Sequence, residues 1–293
     1  MPILLVRDDP GHRLEVCSGI RETDEECFRP GSVVPRGDWR PVEETQLEPG
    51  WEYFEAGKCL HENLALIRVI DATDLQETYL QKDSVQIGVC RDERDTAVVA
   101  SRAPSITSKR NEVDNEQGCP NVLRFAVEQL EALCRLLCPN SPLENKGRWL
   151  AKGHGMSLST TWDRNDRKLT GLHIDRWERK PIGSCKSARN RVCLNMGPRH
   201  RYLVFTTIEL SVLTERFRLD ETVPVTTVHA QAYLREQPLT SVYRLRVEPG
   251  EAYVAPTECI IHDGQASSVA GEWVHTVFGH FEQTDVAKIL SAV

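Results

Sequence analysis

Of the nine histidines in the chain, one sits two residues ahead of a carboxylate in a stretch with strand texture, Gly171-Leu172-His173-Ile174-Asp175-Arg176-Trp177. Side chains alternate across a β-strand, so a spacing of two sends His173 and Asp175 to the same face. His262, at the end of the apolar run in Cys259-Ile260-Ile261-His262-Asp263-Gly264, offers a third ligand from a second strand. Two neutral imidazoles and one carboxylate on one face of a metal are the set that holds non-haem iron(II) and leaves the opposite coordination positions open. The same ligand types also suit zinc, so a hydrolytic zinc site with these three residues stays open at this point.

Such a triad needs strands to carry it. After Leu150 the chain breaks into short strand-like runs: residues 156–162, 169–174, 191–196, 201–210, 223–232, 241–247, 252–254, 258–262 and 272–281. Turn signals such as Asn165-Asp166-Arg167, Met196-Gly197-Pro198, Glu248-Pro249-Gly250 and Ala270-Gly271 separate them. That rhythm predicts a barrel or a double-sheet jelly roll. Ahead of it, Leu123, Val127, Leu130, Cys134 and Leu137 recur at spacings of three and four. They predict a helix from Val122 to Leu137, with Asn121 as its N-cap and Pro139 beyond its end. Residues 65–70 and 85–89 carry β-branched apolar runs, and residues 103–118 read as an exposed loop. Pro, Gly and acidic residues punctuate the first 60 positions. The predicted organisation is therefore a loop-rich region over residues 1–120 wrapped around a core over 121–293, in one integrated domain.

The triad's surroundings carry a family resemblance. Gly250-Glu251-Ala252-Tyr253-Val254-Ala255-Pro256-Thr257, followed by His262-Asp263-Gly264, resembles the stretch that leads to the distal histidine in the iron(II)/2-oxoglutarate-dependent dioxygenases. The resemblance spans roughly residues 150–282 and rests on the triad, the preceding turn and the strand rhythm. It implies a mainly β fold with flanking helices and a double-stranded β-helix core of jelly-roll or cupin-like type. It further implies Fe(II) on His173, Asp175 and His262, with 2-oxoglutarate and molecular oxygen as co-substrates. A small, amino-acid-like molecule would be hydroxylated.

The family most often places an Arg about ten residues past the distal histidine to grip the far carboxylate of 2-oxoglutarate, and here no Arg lies between Ala266 and Val286. The corresponding strand offers His275. Arg201 fits the place that some relatives use, and Arg191 is a second candidate one strand earlier, because a guanidinium grips a carboxylate with two parallel hydrogen bonds. Trp177 projects to the face of Asp175 if the strand continues, and so walls the substrate pocket. Family halogenases carry Gly or Ala at the carboxylate position, so Asp175 implies hydroxylation rather than halogenation.

Composition sets the limits. The 36 Lys and Arg against 43 Asp and Glu give a net charge of -7 and a pI near 5.8, which speaks against a nucleic-acid surface. No apolar run reaches the length of a membrane span, and no signal-peptide core follows Met1, so the expected location is the cytoplasm and no membrane partner is expected. The ten cysteines are scattered and read as reduced thiols, with Cys134 and Cys138 packed in the core. A cupin-like barrel that binds without catalysis is the alternative from another functional class.

Overall fold

Alternation of apolar side chains along short strands gives each strand two faces, and the chain satisfies both by stacking sheets and then covering them with helices. The computed structural model describes residues 3–5, 13–42, 52–53, 64–70, 72–73, 75, 121–138, 141–163 and 165–280; the runs at 85–89 and 103–118 lie outside the described residues. In chain order the strands are β1 (Ile3–Leu5), β2 (Leu14–Cys17), β3 (Ile20–Glu22), β4 (Val33–Pro35), β5 (Arg40–Pro41), β6 (Glu52–Tyr53), β7 (Leu64–Arg68) and β8 (Glu144–Ala151). They continue with β9 (Trp162–Asp163), β10 (Lys168–Leu169), β11 (Asn190–Asn195), β12 (Arg201–Phe205), β13 (Val242–Val247), β14 (Glu251–Ala255), β15 (His262–Ala266) and β16 (Glu272–Gly279). The helices are α1 (Asn121–Leu137), α2 (Leu210–Phe217) and α3 (Thr227–Glu236).

One sheet has seven strands in the order β6-β1-β7-β14-β11-β16-β8, and the facing sheet has five in the order β15-β12-β13-β2-β5. Pairing is antiparallel except where β1 meets β6 and β7. Cys193, Tyr253, Ala255 and Val274 of the larger sheet meet Leu203, Phe205, Leu245 and Val247 of the smaller one in a shared buried core. The alternate residues Val192, Leu194, Val254 and Val277 point the other way and pack under α1 through Leu123, Ala126, Leu130 and Cys134. On the opposite outer face, Val204 and Val242 pack with Leu210 and Leu213 of α2 and Ala230 and Leu234 of α3. The architecture is a mainly antiparallel β-sandwich with helices on both outer faces.

Several elements differ from the sequence expectation, among them the run 156–162, which opens as a turn and has only Trp162 in a strand. Residues 227–236 are helical rather than extended. Thr226 accepts a hydrogen bond from the His229 amide and its own amide donates back to the His229 ring, a capping box that starts the helix. Strand β8 was concealed by its charged run Glu144-Asn145-Lys146-Gly147-Arg148, which is tolerated because β8 is the edge of its sheet. The apolar run before His262 is a turn, and the strand begins at His262 itself. Segments from the first seventy residues enter both sheets as edge-side strands rather than only wrapping them. Cys134 and Cys138 are buried, and burial pushes the Cys134 thiol up to about 12.

Candidate metal centre

His173 and His262 are brought together by the backbone before any side-chain chemistry is considered. Each amide donates to the other residue's carbonyl, at 2.9 and 2.8 Å, so the two residues face one another as a hydrogen-bonded antiparallel pair with side chains on one face. Their ring centroids are 4.5 Å apart. Gly171 makes the approach possible. It has φ +68°, and a Cβ there would lie 2.6 Å from the Val33 carbonyl oxygen. The expected continuous strand through 169–174 is instead β10 followed by the single bridge at His173. Asp175 is fixed by its amide, which donates to the Thr257 carbonyl at 3.1 Å.

The Nδ1 atoms of His173 and His262 lie 2.8 and 3.2 Å from the carbonyls of Gly171 and Ile260. A carbonyl only accepts, so each Nδ1 carries a proton and each ring in its neutral form turns a bare Nε2 inward, the tautomer a metal-binding histidine needs. Both Nε2 atoms are buried without a hydrogen-bond partner. They lie 3.5 and 3.6 Å from Asp175 Oδ1 and Oδ2 respectively. The three ligand atoms lie within 4.8 Å of one another, the one such group among the described residues. Orphaned buried acceptors converging on one point fit a divalent cation.

The electrostatics favour an ionised Asp175 and a neutral His262, and draw His173 toward its protonated form. Burial alone would raise the Asp175 carboxyl, but the Arg191 guanidinium and the two imidazoles hold it well below the usual carboxylate range. Burial and the neighbouring His173 push His262 down. Burial also pulls on His173, yet the adjacent Asp175 outweighs it and the ring is raised.

The sequence candidates for the co-substrate separate clearly. Arg201 projects from β12 into the space between the sheets, on the same side as Leu203 and Phe205. It is 4% exposed, its Nη1 reaches only the Cys193 Sγ at 3.7 Å, and its Nε has no partner. Among the described residues no carboxylate lies within 4.0 Å of it. Gly264 of β15 leaves room beside it, since a Cβ there would lie 3.1 Å from Arg201 Nη2. Arg191, on β11, instead places Nη1 3.3 Å from Asp175 Oδ2. His275 pairs with Leu194, whose side chain packs under α1, so it lies on the outer face of the larger sheet, away from the triad. Burial pushes that imidazole down to about 4. This corrects the expectation that His275 could grip the co-substrate, because a register of one residue turns it to the wrong side.

Trp177 reaches the rim by a loop, not by strand continuity. It is 49% exposed, with its ring 5.4 Å from Phe278 and the Lys146 ammonium 5.1 Å from its ring centre. The loop is tied down by Glu258, which accepts the Glu178 amide at 2.7 Å, and by the ion pairs of Glu178 with Arg189 at 2.6 Å and with Lys180 at 3.1 Å. Sequence reasoning missed Tyr253 and Cys193, which stand between the two arginines on the inner face of the larger sheet. A signal for both existed, since Cys193 is two residues from Arg191 and Tyr253 lies inside the turn-and-strand stretch before His262.

No family model matches the chain, and no curated protein matches it. Among solved structures it is similar to HygX from Streptomyces hygroscopicus with nickel and 2-oxoglutarate bound. Identity there is 15%, the match covers 76% of this chain and 81% of that one, and the TM-score is 0.30. It is also similar to the Kdo hydroxylase KdoO, a non-haem Fe(II) alpha-ketoglutarate-dependent dioxygenase in complex with succinate and Fe(III). That match is at 14% identity over 60% of this chain and 71% of that one, also with a TM-score of 0.30. Scores of this size do not establish a common fold, so the functional reading rests on the residues of this chain. Among the described residues no helix is long and apolar enough to cross a membrane.

Proposed function

We propose that this chain is a non-haem iron(II)/2-oxoglutarate-dependent oxygenase built on a double-stranded β-helix core, which hydroxylates a small, amino-acid-like molecule in the cytoplasm. The observation that carries the reading is a mismatch of buried charge. Two arginines enter the inter-sheet space, Arg191 is answered by Asp175, and Arg201 has no carboxylate within 4.0 Å among the described residues. A buried cation without a direct ion pair costs on the order of several kcal/mol. Arg201 lies four residues along β12 from the Phe205 that pairs with His262, and Glu272 acts on it only from beyond 4.0 Å, so an inter-sheet space that retains it fits a dianionic ligand reaching from the triad. 2-Oxoglutarate answers both needs with one keto-acid end and one free carboxylate. The sheet order from β11 to β16, with β11, β14 and β16 in the larger sheet and β12, β13 and β15 in the smaller one, supports the double-stranded β-helix.

In this reading His173, Asp175 and His262 hold the metal, and the Gly171 and Ile260 carbonyls keep both imidazoles in the ligating tautomer. Bound Fe(II) would supply oxygen activation, with substrate C–H, O2 and 2-oxoglutarate giving C–OH, succinate and CO2. Arg201 grips the far carboxylate and so sets the depth of the co-substrate. Trp177, backed by the buried Phe278 ring, forms an apolar rim for the substrate, and the core around Phe205, Tyr243 and Leu245 keeps water from the inner end. The test is a screen of amino acids and small amino-acid derivatives for O2-dependent succinate formation with Fe(II). A stimulating compound whose product is one oxygen atom heavier supports the reading. Turnover that needs neither O2 nor 2-oxoglutarate refutes it in favour of a zinc hydrolase.

A further inference from the structure

Arg191 enters the account so far only as the ion-pair partner of Asp175, although it is largely buried beside the triad. Its side chain is 16% exposed, Nη1 lies 3.3 Å from Asp175 Oδ2, and its guanidinium carbon stands 5.6 Å from the centre of the Phe278 ring. Among the described residues it is the one Arg or Lys within 4.0 Å of Asp175. Asp175 Oδ1 faces His173 Nε2, while Oδ2 lies between His262 Nε2 at 3.6 Å and this guanidinium. The ligand carboxylate thus has one oxygen turned to the proximal histidine and the other in an ion pair with the guanidinium, at 3.3 Å and without a hydrogen bond.

A carboxylate can bind a metal through one oxygen or both. With three protein atoms on an octahedral ion, three positions remain, two for a chelating keto acid and one for oxygen. A second oxygen from Asp175 would take one of them. On the oxygenase reading proposed above, we infer that Arg191 is a positioning residue that engages Asp175 Oδ2 and so limits the carboxylate to one metal bond, keeping open a position that 2-oxoglutarate needs. Phe278 and the strand pairing of β11 with both neighbours hold the guanidinium in place. Arg191 therefore acts on every 2-oxo acid that chelates the metal, whereas Arg201 acts only on one with a far carboxylate.

The experiment is anaerobic calorimetry of the full chain, first with Fe(II) alone and then with 2-oxoglutarate or with pyruvate, which has the keto acid but no far carboxylate. Arg191→Met should keep Fe(II) affinity within about threefold and weaken both keto acids by about tenfold or more. Arg201→Met should weaken 2-oxoglutarate to the level of pyruvate and leave pyruvate unchanged. If Arg191→Met does not fold, Arg191→Lys carries the test, with the same pattern at several-fold, because an ammonium lacks the planar fork. Binding of both keto acids as in the unaltered protein overturns the inference, as does loss of Fe(II) together with them. Loss of 2-oxoglutarate alone would make Arg191 a second anchor, which also overturns it but leaves the oxygenase reading standing. If the unaltered protein binds neither Fe(II) nor 2-oxoglutarate, the reading itself fails and the inference with it.

Discussion

Arg201→Met is the substitution whose consequences follow most fully from the structure. The side chain is 4% exposed, its Nε has no partner, and its side-chain hydrogen bond goes to the Cys193 thiol at 3.7 Å. Methionine fills a similar volume without the charge. A hydrogen bond to a charged group contributes about 1.5 to 3 kcal/mol, and each 1.4 kcal/mol is about tenfold in affinity. The expected loss in 2-oxoglutarate affinity is therefore about 10- to 150-fold, read by calorimetry with Fe(II) under nitrogen. Without ligand the sign reverses, because a buried cation with no carboxylate within 4.0 Å, and only the more distant Glu272 acting on it, destabilises the fold while methionine suits the apolar neighbours Leu203 and Val247. The melting temperature of the ligand-free variant should rise by a few degrees, on the order expected for about 1 kcal/mol. Added 2-oxoglutarate should stabilise the unaltered protein more than the variant. Unchanged affinity together with a lower melting temperature would mean that Arg201 is a structural cation, and the charge-mismatch argument would be lost.

Other outcomes are more local. His262→Ala should abolish stoichiometric Fe(II) binding while the far-ultraviolet circular dichroism is kept, since its Nε2 has no hydrogen-bond partner in the fold. His275 is neutral and buried, with its folded value near 4 and its unfolded value near 6.5; it contributes stability that is present above pH 6.5 and lost as the pH falls towards 4. The loss is about 3 kcal/mol, so His275→Leu should flatten the acid limb of a urea-denaturation series and leave 2-oxoglutarate affinity unchanged. Leu130→Ala should cost about 2 to 5 kcal/mol, because α1 covers the outer face of the larger sheet through that fully buried side chain, and metal affinity in the folded fraction should be unaffected. Trp177→Ala should raise the KM for the organic substrate with little change in 2-oxoglutarate affinity, because Trp177 stands at the rim.

Much of the site was legible because a spacing of two and a stretch ending in histidine are local patterns. His173, Asp175 and His262 meet as the pattern predicts, although Asp175 and Trp177 get there through a loop rather than a continuous strand. The helix over 121–137 was legible for the same reason, as its apolar stripe repeats at spacings of three and four. What could not be read was register. His275 and Thr276 are neighbours in sequence, and only the pairing with β11 decides which of them faces the interior. Charge pairing is equally non-local. Arg191 and Arg201 look alike in the chain, and their surroundings differ because one strand end lies beside Asp175 and the other lies deep between the sheets. Strand β8 and helix α3 were hidden for opposite reasons, the first by an edge strand's charges and the second by a cap that recruits a histidine into a helix start.

The central claim, that one metal and one 2-oxo acid meet on these three ligands, is tested most directly by anaerobic titration of the protein with Fe(II) and then 2-oxoglutarate, followed in the visible spectrum. The account predicts a weak charge-transfer absorption that saturates at one Fe(II) and one 2-oxoglutarate per chain and is missing in His262→Ala. No absorption in the unaltered protein, or an equal one in His262→Ala, would contradict it.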